Sequence, residues 1–181
     1  MRRRFCLLMS LLAVCATGLA GTVKGSFGQG VLGIAWGTSL TSVVGVYPQG
    51  DHVFAVTPGC RAYWVKEGQP FLGIPRDGKG VLFGMDKQNH VASASVAFDF
   101  ERKGELRTTL TSLLGNPMVP TQSGEIAQYG WRSPDGMTAF VTEFGEGSQR
   151  IIWLTISVAG YGAAKDRCWA EPAANNRSRG P

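Results

Sequence analysis

Apolar residues recur along this chain at two spacings. Leu40, Val43, Val44 and Tyr47 fall at i, i+3, i+4 and i+7, and Leu106, Leu110, Leu113 and Leu114 at i, i+4, i+7 and i+8. Each set forms one face of an α-helix. Thr38 and Ser39 offer N-cap side chains to the first, and Pro48 and Gly50 stop it. That segment is short and rich in β-branched residues, so it needs tertiary support to form. Glu101 and Glu105 lie where the second helix presents its positive end, and Gly115-Asn116-Pro117 closes it.

Elsewhere the period is two. Ala92, Ala94, Val96, Phe98 and Phe100 alternate with Ser93, Ser95, Ala97 and Asp99, the pattern of a half-buried antiparallel strand. A hairpin joins it to 81–85 through Asp86-Lys87-Gln88-Asn89. Residues 53–56, 62–65 and 71–74 read as short strands, with Pro58-Gly59 and Glu67-Gly68 as turns. Beyond the second helix, 118–125 reads as a polar loop. Residues 126–131, 137–144 and 150–158 read as strands separated by Ser133-Pro134-Asp135-Gly136 and Gly145-Glu146-Gly147-Ser148. Residues 21–30 look like a flexible lead-in, and 31–37 an extended approach to the first helix.

The order is therefore helix, strands, helix, strands, and the halves echo each other. Segment 37–48 matches 104–117, each helix ending in proline. Ala62-Tyr63-Trp64-Val65 matches Gln128-Tyr129-Gly130-Trp131, and 91–98 matches 151–158. The expected fold is α+β, two tandem helix-plus-antiparallel-sheet units at 31–100 and 101–164, with a largely disordered tail at 165–181.

Residues 1–20 are of another kind. Arg2, Arg3 and Arg4 precede an apolar run of about ten residues, too short to span a bilayer, and small residues follow. This is the build of a secretory signal peptide. Cleavage after Ala20 is expected, with Ala16 the next candidate. Leu12-Ala13-Val14-Cys15 resembles a lipobox, but Val14 stands where a small residue is usual, so a lipid anchor on Cys15 is not favoured. No later segment is long and apolar enough to span a membrane. The chain is expected to be periplasmic or secreted.

That leader changes the charge picture. The full chain carries 18 basic and 13 acidic side chains, net +5. Without the three arginines of the leader the net is +2, and residues 21–164 are balanced at 11 against 11. There is no basic stripe, which argues against nucleic acid as a partner. Cys60 and Cys168 remain after processing. In an oxidising compartment they are expected to form one disulfide.

Catalytic chemistry is hard to place. Gly28-Gln29-Gly30-Val31-Leu32-Gly33 fits a dinucleotide motif by letter but lacks a strand before it and a helix directly after. Asp77-Gly78-Lys79-Gly80 is a turn, not a phosphate loop. His52 and His90 sit beside loop residues and form no metal-ligand cluster. No serine lies in a nucleophile elbow; Ser93 and Ser95 read as solvent-facing. Glu143 and Glu146 flank a turn and read as solubilising charges on a strand edge. No catalytic, cofactor or metal residue is assigned, and no enzyme activity is expected. The five tryptophans remain. Trp64 and Trp131 occupy matching places in the two halves and are the candidate partner-binding pair.

Gly33-Ile34-Ala35-Trp36-Gly37-Thr38-Ser39, Leu113-Leu114-Gly115-Asn116-Pro117 and Tyr129-Gly130-Trp131 carry a resemblance. The arrangement is similar to the small outer-membrane assembly lipoproteins of the SmpA/OmlA type and to the β-lactamase inhibitor protein family, built from two such units in tandem. The families have a helix pair before each sheet; one clear helix per half is visible here. The resemblance implies a protein that binds other envelope or secreted proteins, with exposed aromatics on the sheet as contacts. The alternative is a small-molecule or peptidoglycan-binding module using an aromatic sheet face.

Overall fold

The computed structural model describes residues 21–54, 61–76, 78–123, 126–145, 147 and 150–161. Among these residues three α-helices, α1 (Val23–Phe27), α2 (Leu40–Val46) and α3 (Lys103–Leu114), accompany eight strands. The strands are β1 (Asp51–Phe54), β2 (Arg61–Val65), β3 (Val81–Met85), β4 (Val91–Asp99), β5 (Met118–Ser123), β6 (Ile126–Arg132), β7 (Thr138–Phe144) and β8 (Ile151–Ser157). A 3-10 turn, Phe100–Arg102, leads from β4 into α3. The class is mixed: few helices on one antiparallel sheet. Residues 1–20, with Cys15, residues 55–60, with Cys60, and residues 162–181, with Cys168, lie outside the described residues.

The sheet order is β1-β2-β3-β4-β8-β7-β6-β5. Strands β1 to β4 form one meander and β5 to β8 another. They join through their last strands, with β4 antiparallel to β8 from Ser93↔Ser157 to Asp99↔Ile151.

Alternation along these two strands separates the faces. Ala94, Val96 and Phe98 pair with Ile156, Leu154 and Ile152, and all six are fully buried. Val81 and Phe83 of β3 and Ala139 and Val141 of β7 continue that face. The helices cover it. Leu106 and Leu110 of α3, Leu40 and Val43 of α2, and Val23 and Phe27 of α1 belong to the same apolar cluster. Burying this many aliphatic and aromatic side chains, each contributing on the order of 2 kcal/mol, is the main source of stability.

Both helices read from periodicity are present. Ser39 Oγ accepts from the Ser42 amide at 3.2 Å to cap α2, and Gly115 ends α3 at φ 82°. Four expectations are corrected. The lead-in contains α1: Thr22 caps it through the Gly25 amide at 3.0 Å, and Val23 and Phe27, one turn apart, reach the core. Residues 118–125 are not wholly loop, because β5 pairs with β6 across a register shift between Met118 and Thr121. Pro120 lies in that irregular stretch, which suits an edge strand. The extended approach begins with a tight hairpin at 31–34, and 71–74, read as a strand, is a second one.

These hairpins share a sequence that alternation cannot reveal. Gly28-Gln29-Gly30-Val31-Leu32-Gly33-Ile34 and Gly68-Gln69-Pro70-Phe71-Leu72-Gly73-Ile74 agree at five of seven positions. In each, the residues flanking Leu-Gly exchange two backbone hydrogen bonds of 2.9–3.0 Å. Leu32 and Leu72 sit at φ 51° and 55°, Gly33 and Gly73 at 77° and 76°. A leucine in this region is uncommon and costs about 1 kcal/mol.

Each loop is then clasped from behind, nine residues back. Trp36 Nε1 donates to Phe27 O at 2.7 Å, and Arg76 Nη2 to Glu67 O at 2.8 Å. Arg76 is fully buried. It also donates through Nε to Gln69 O at 2.8 Å and through Nη1 to Gly80 O at 3.3 Å. Burial holds its guanidinium below its ordinary value, with Glu67 and Tyr47 pulling the other way.

Candidate functional site

The opposite face of the sheet carries no described helix. Alternation and register place there Asp51 and Val53 of β1, Ala62 and Trp64 of β2, Leu82 and Gly84 of β3, and Ser93, Ser95 and Ala97 of β4. Thr155 and Trp153 of β8, Phe140 and Phe144 of β7, and Gly130 of β6 continue it, together with the charged Asp99 of β4 and Arg132 of β6. The middle of this face is small and hydroxyl-bearing. Ser95 Oγ and Thr155 Oγ1 lie 2.9 Å apart where the two meanders meet.

Aromatic rings stand around that floor. Trp64 and Trp153 meet with centroids 5.7 Å apart at 59°, a tilted contact worth about 1 kcal/mol beyond area burial. Trp64 lies over Gly80, where a Cβ would come within 2.6 Å of the indole. Phe140 lies over Gly130 in the same way, so that a Cβ at that position would overlap its ring. Tyr161, just after β8, covers Gly84 and Ser93. Absent side chains thus let rings lie flat on the sheet. Three of the four exposed large apolar side chains among the described residues, Val53, Met118 and Phe144, belong to this face; Val46 on α2 is the fourth.

The tryptophan pair read from sequence does not assemble. Trp64 is half-buried on the open face. Trp131 is 4% exposed, on the helix side, and its Nε1 donates to Gly115 O at 2.8 Å. Tyr63 and Tyr129 both point into the core, so the residue after each points outward. That residue is Trp64 in one case and Gly130 in the other. Trp131 is one position further on and turns inward. The tryptophan that does join Trp64 is Trp153. A strand with apolar residues on both faces, Ile151 to Ile156, hides this role from any alternation argument.

The other candidates have structural uses. Ser93 is 5% exposed beneath Tyr161, not solvent-facing. Glu143 is also corrected: it is buried on β7, an interior strand. Lys103 Nζ lies 2.6 Å from its Oε1, and Arg150 Nη2 lies 3.1 Å from Oε2. The Arg150 guanidinium also covers the Phe100 ring at 3.6 Å. Glu146 lies outside the described residues. His52 packs edge-on against Tyr63, and His90 lies 3.9 Å from Asp86. Among the described residues no group of His, Cys, Asp and Glu could hold a metal ion, and no helix is long and apolar enough to cross a membrane.

Tyr129 is an exception to good pairing. It is buried against Trp131, Arg107 covers its ring at 5.6 Å, and its hydroxyl has no hydrogen-bond partner among the described residues. Its ionisation is pushed up to about 12, by burial above all, with Arg107 opposing and Glu143 adding. An unfolded phenol ionises near 10. Stability linked to this group is therefore complete below about pH 10 and is lost as pH rises from there to about 12. Tyr129→Phe should be neutral or slightly stabilising at pH 7, since no bond is broken. It should also remove part of the alkaline loss. Urea unfolding of both proteins at pH 7 and pH 11 checks this; a clear destabilisation at pH 7 would show that the hydroxyl is paired.

Comparison with protein-family models, curated proteins and solved structures finds no match.

Proposed function

We propose that this chain is a non-catalytic, exported protein that binds another envelope or secreted protein through the open face of its sheet, as an accessory factor or inhibitor. The observation that carries the reading is that three of the four exposed large apolar side chains among the described residues, Val53, Met118 and Phe144, share one sheet face with the Trp64–Trp153 pair. Soluble chains rarely leave such patches without a partner, and aromatic anchors beside a small-residue floor are common at binding centres. Its charges, Asp51, Arg132 and Asp99 with its partner Lys79, balance, which fits a protein surface without strong net charge. We also read the two meanders, each preceded by helical segments, as tandem units, with Cys60 and Cys168 paired by a disulfide. The order of the sheet supports this: the units meet at their last strands.

A second reading has its own support. Tryptophans beside the Ser95–Thr155 hydroxyls also suit a sugar ring, and therefore a peptidoglycan fragment.

The test compares three proteins in cross-linked native envelopes: the wild type, Trp64→Ala/Trp153→Ala, and Val46→Ala as a control on the helix side. The double variant should keep its circular dichroism and a cooperative melt. It should also lose a stoichiometric partner that the control retains, with at least about 30-fold weaker binding, as for interface anchors. Equal capture by all three refutes the face. A thermal shift with soluble muropeptides, lost in the double variant, would move the assignment to the wall.

A further inference from the structure

We propose that the chain is cleaved between Ala20 and Gly21, and that the α-ammonium freed on Gly21 docks on the main-chain carbonyl of Leu113, at the C-terminal end of α3. The inference rests on the reading of residues 1–20 as an export leader. It adds a structural consequence of removing them.

The Gly21 nitrogen donates to Leu113 O at 2.9 Å. Leu113 is the penultimate residue of α3. Its carbonyl is one of the last four, which no N–H of the helix itself can reach. These carbonyls carry the negative end of the helix dipole, where a cation is favoured. The site is shaped for glycine, because a Cβ at position 21 would lie 2.8 Å from Leu113 O and 3.4 Å from Ser26 Oγ. One residue later Thr22 caps α1, which packs on α3. The bond thus ties the start of α1 to the end of α3. The small residues Gly18 and Ala20 on either side of Leu19 suit a leader peptidase.

Hydrolysis changes the chemistry of this contact. Water adds across the Ala20–Gly21 amide, the C–N bond breaks, Ala20 leaves as a carboxylate, and the Gly21 nitrogen takes up a proton. A neutral amide with one N–H becomes a cation with three, and charge-assisted hydrogen bonds are the stronger kind. Processing therefore tightens the α1–α3 contact. Gly21 is exposed, so the gain is modest.

The experiment exports the full chain, determines the N-terminus of the purified product by intact mass and end sequencing, and then compares thermal melts. The comparison set is the processed protein, the same protein acetylated on the Gly21 amine, and a form that retains Ala20. We expect a start at Gly21, with a Tm lower by about 1–3 °C in both altered forms. Identical melts for the processed and acetylated proteins overturn the docking and leave the export reading intact. A start at Thr17, or at a lipidated Cys15, overturns the assigned cleavage. An uncleaved product overturns the export reading itself.

Discussion

Replacing Arg76 with methionine lowers the stability of the folded chain by about 3 kcal/mol. Methionine fills much of the arginine volume, so the loss reports mainly on hydrogen bonds. Glu67 O and Gln69 O lose the Arg76 donor, and Gly80 O is left with the Ala97 amide alone. A buried acceptor left unpaired costs roughly 1–3 kcal/mol, and partial access of water to the 67–69 stretch limits the sum. Arg76→Lys recovers less than half, because a single ammonium on a flexible stem cannot serve three divergent carbonyls. Urea unfolding measures both. A loss under about 1 kcal/mol for the methionine variant would mean that the 67–76 loop is held by its hairpin and not by the guanidinium. The same experiment on Trp36→Phe asks whether the matching clasp at 27–36 carries comparable weight.

The second large effect separates two tryptophans that look equivalent in the sequence. Trp131→Ala costs about 3–5 kcal/mol, as for other buried large aromatics cut to alanine, and it orphans the Gly115 carbonyl that ends α3. Trp64→Ala costs about 1 kcal/mol, chiefly the contact with Trp153, and leaves a cooperative fold. Denaturant midpoints of the two variants check this. Equal losses would place both indoles in the core and remove the basis for the open face as a binding surface. A small loss for Trp131 alone would contradict its burial.

Much of the helical frame is legible in the sequence. Leu106, Leu110 and Leu114 recur on one face, and Ser39 stands before Leu40, because a helix turning every 3.6 residues must declare its buried stripe locally. Strand β4 is equally plain, since Ala94, Val96 and Phe98 face the core while serines alternate with them. Reading fails where the determinant is not periodic. Helix α1 has five residues, two of them glycine or serine, and forms because Val23 and Phe27 meet a core built by distant strands. The hairpins at Leu32 and Leu72 look like strand fragments by hydropathy. Their positive φ angles become tolerable only because Val31, Ile34 and Ile74 are buried on either side of the turns.

The candidate site shows the same division. Its raw material is visible: Trp64, an alternation of small polar residues at 93–99, and a chain otherwise without catalytic clusters. Its membership is not. Trp153 joins Trp64 across three intervening steps of pairing, β2 to β3, β3 to β4 and β4 to β8, and Trp131 leaves because one inserted glycine reverses the side on which it points. By itself the sequence determined the expected export address, the two main helices, the composition of the core and the absence of a recognisable catalytic motif. Only the tertiary structure decided which aromatics share a face, which polar groups are buried and what Gly21 touches. The first two depend on strand register between residues far apart in the chain, as Trp64 is from Trp153, where a change of one residue moves a side chain from solvent to core; the third depends on the packing of α1 on α3.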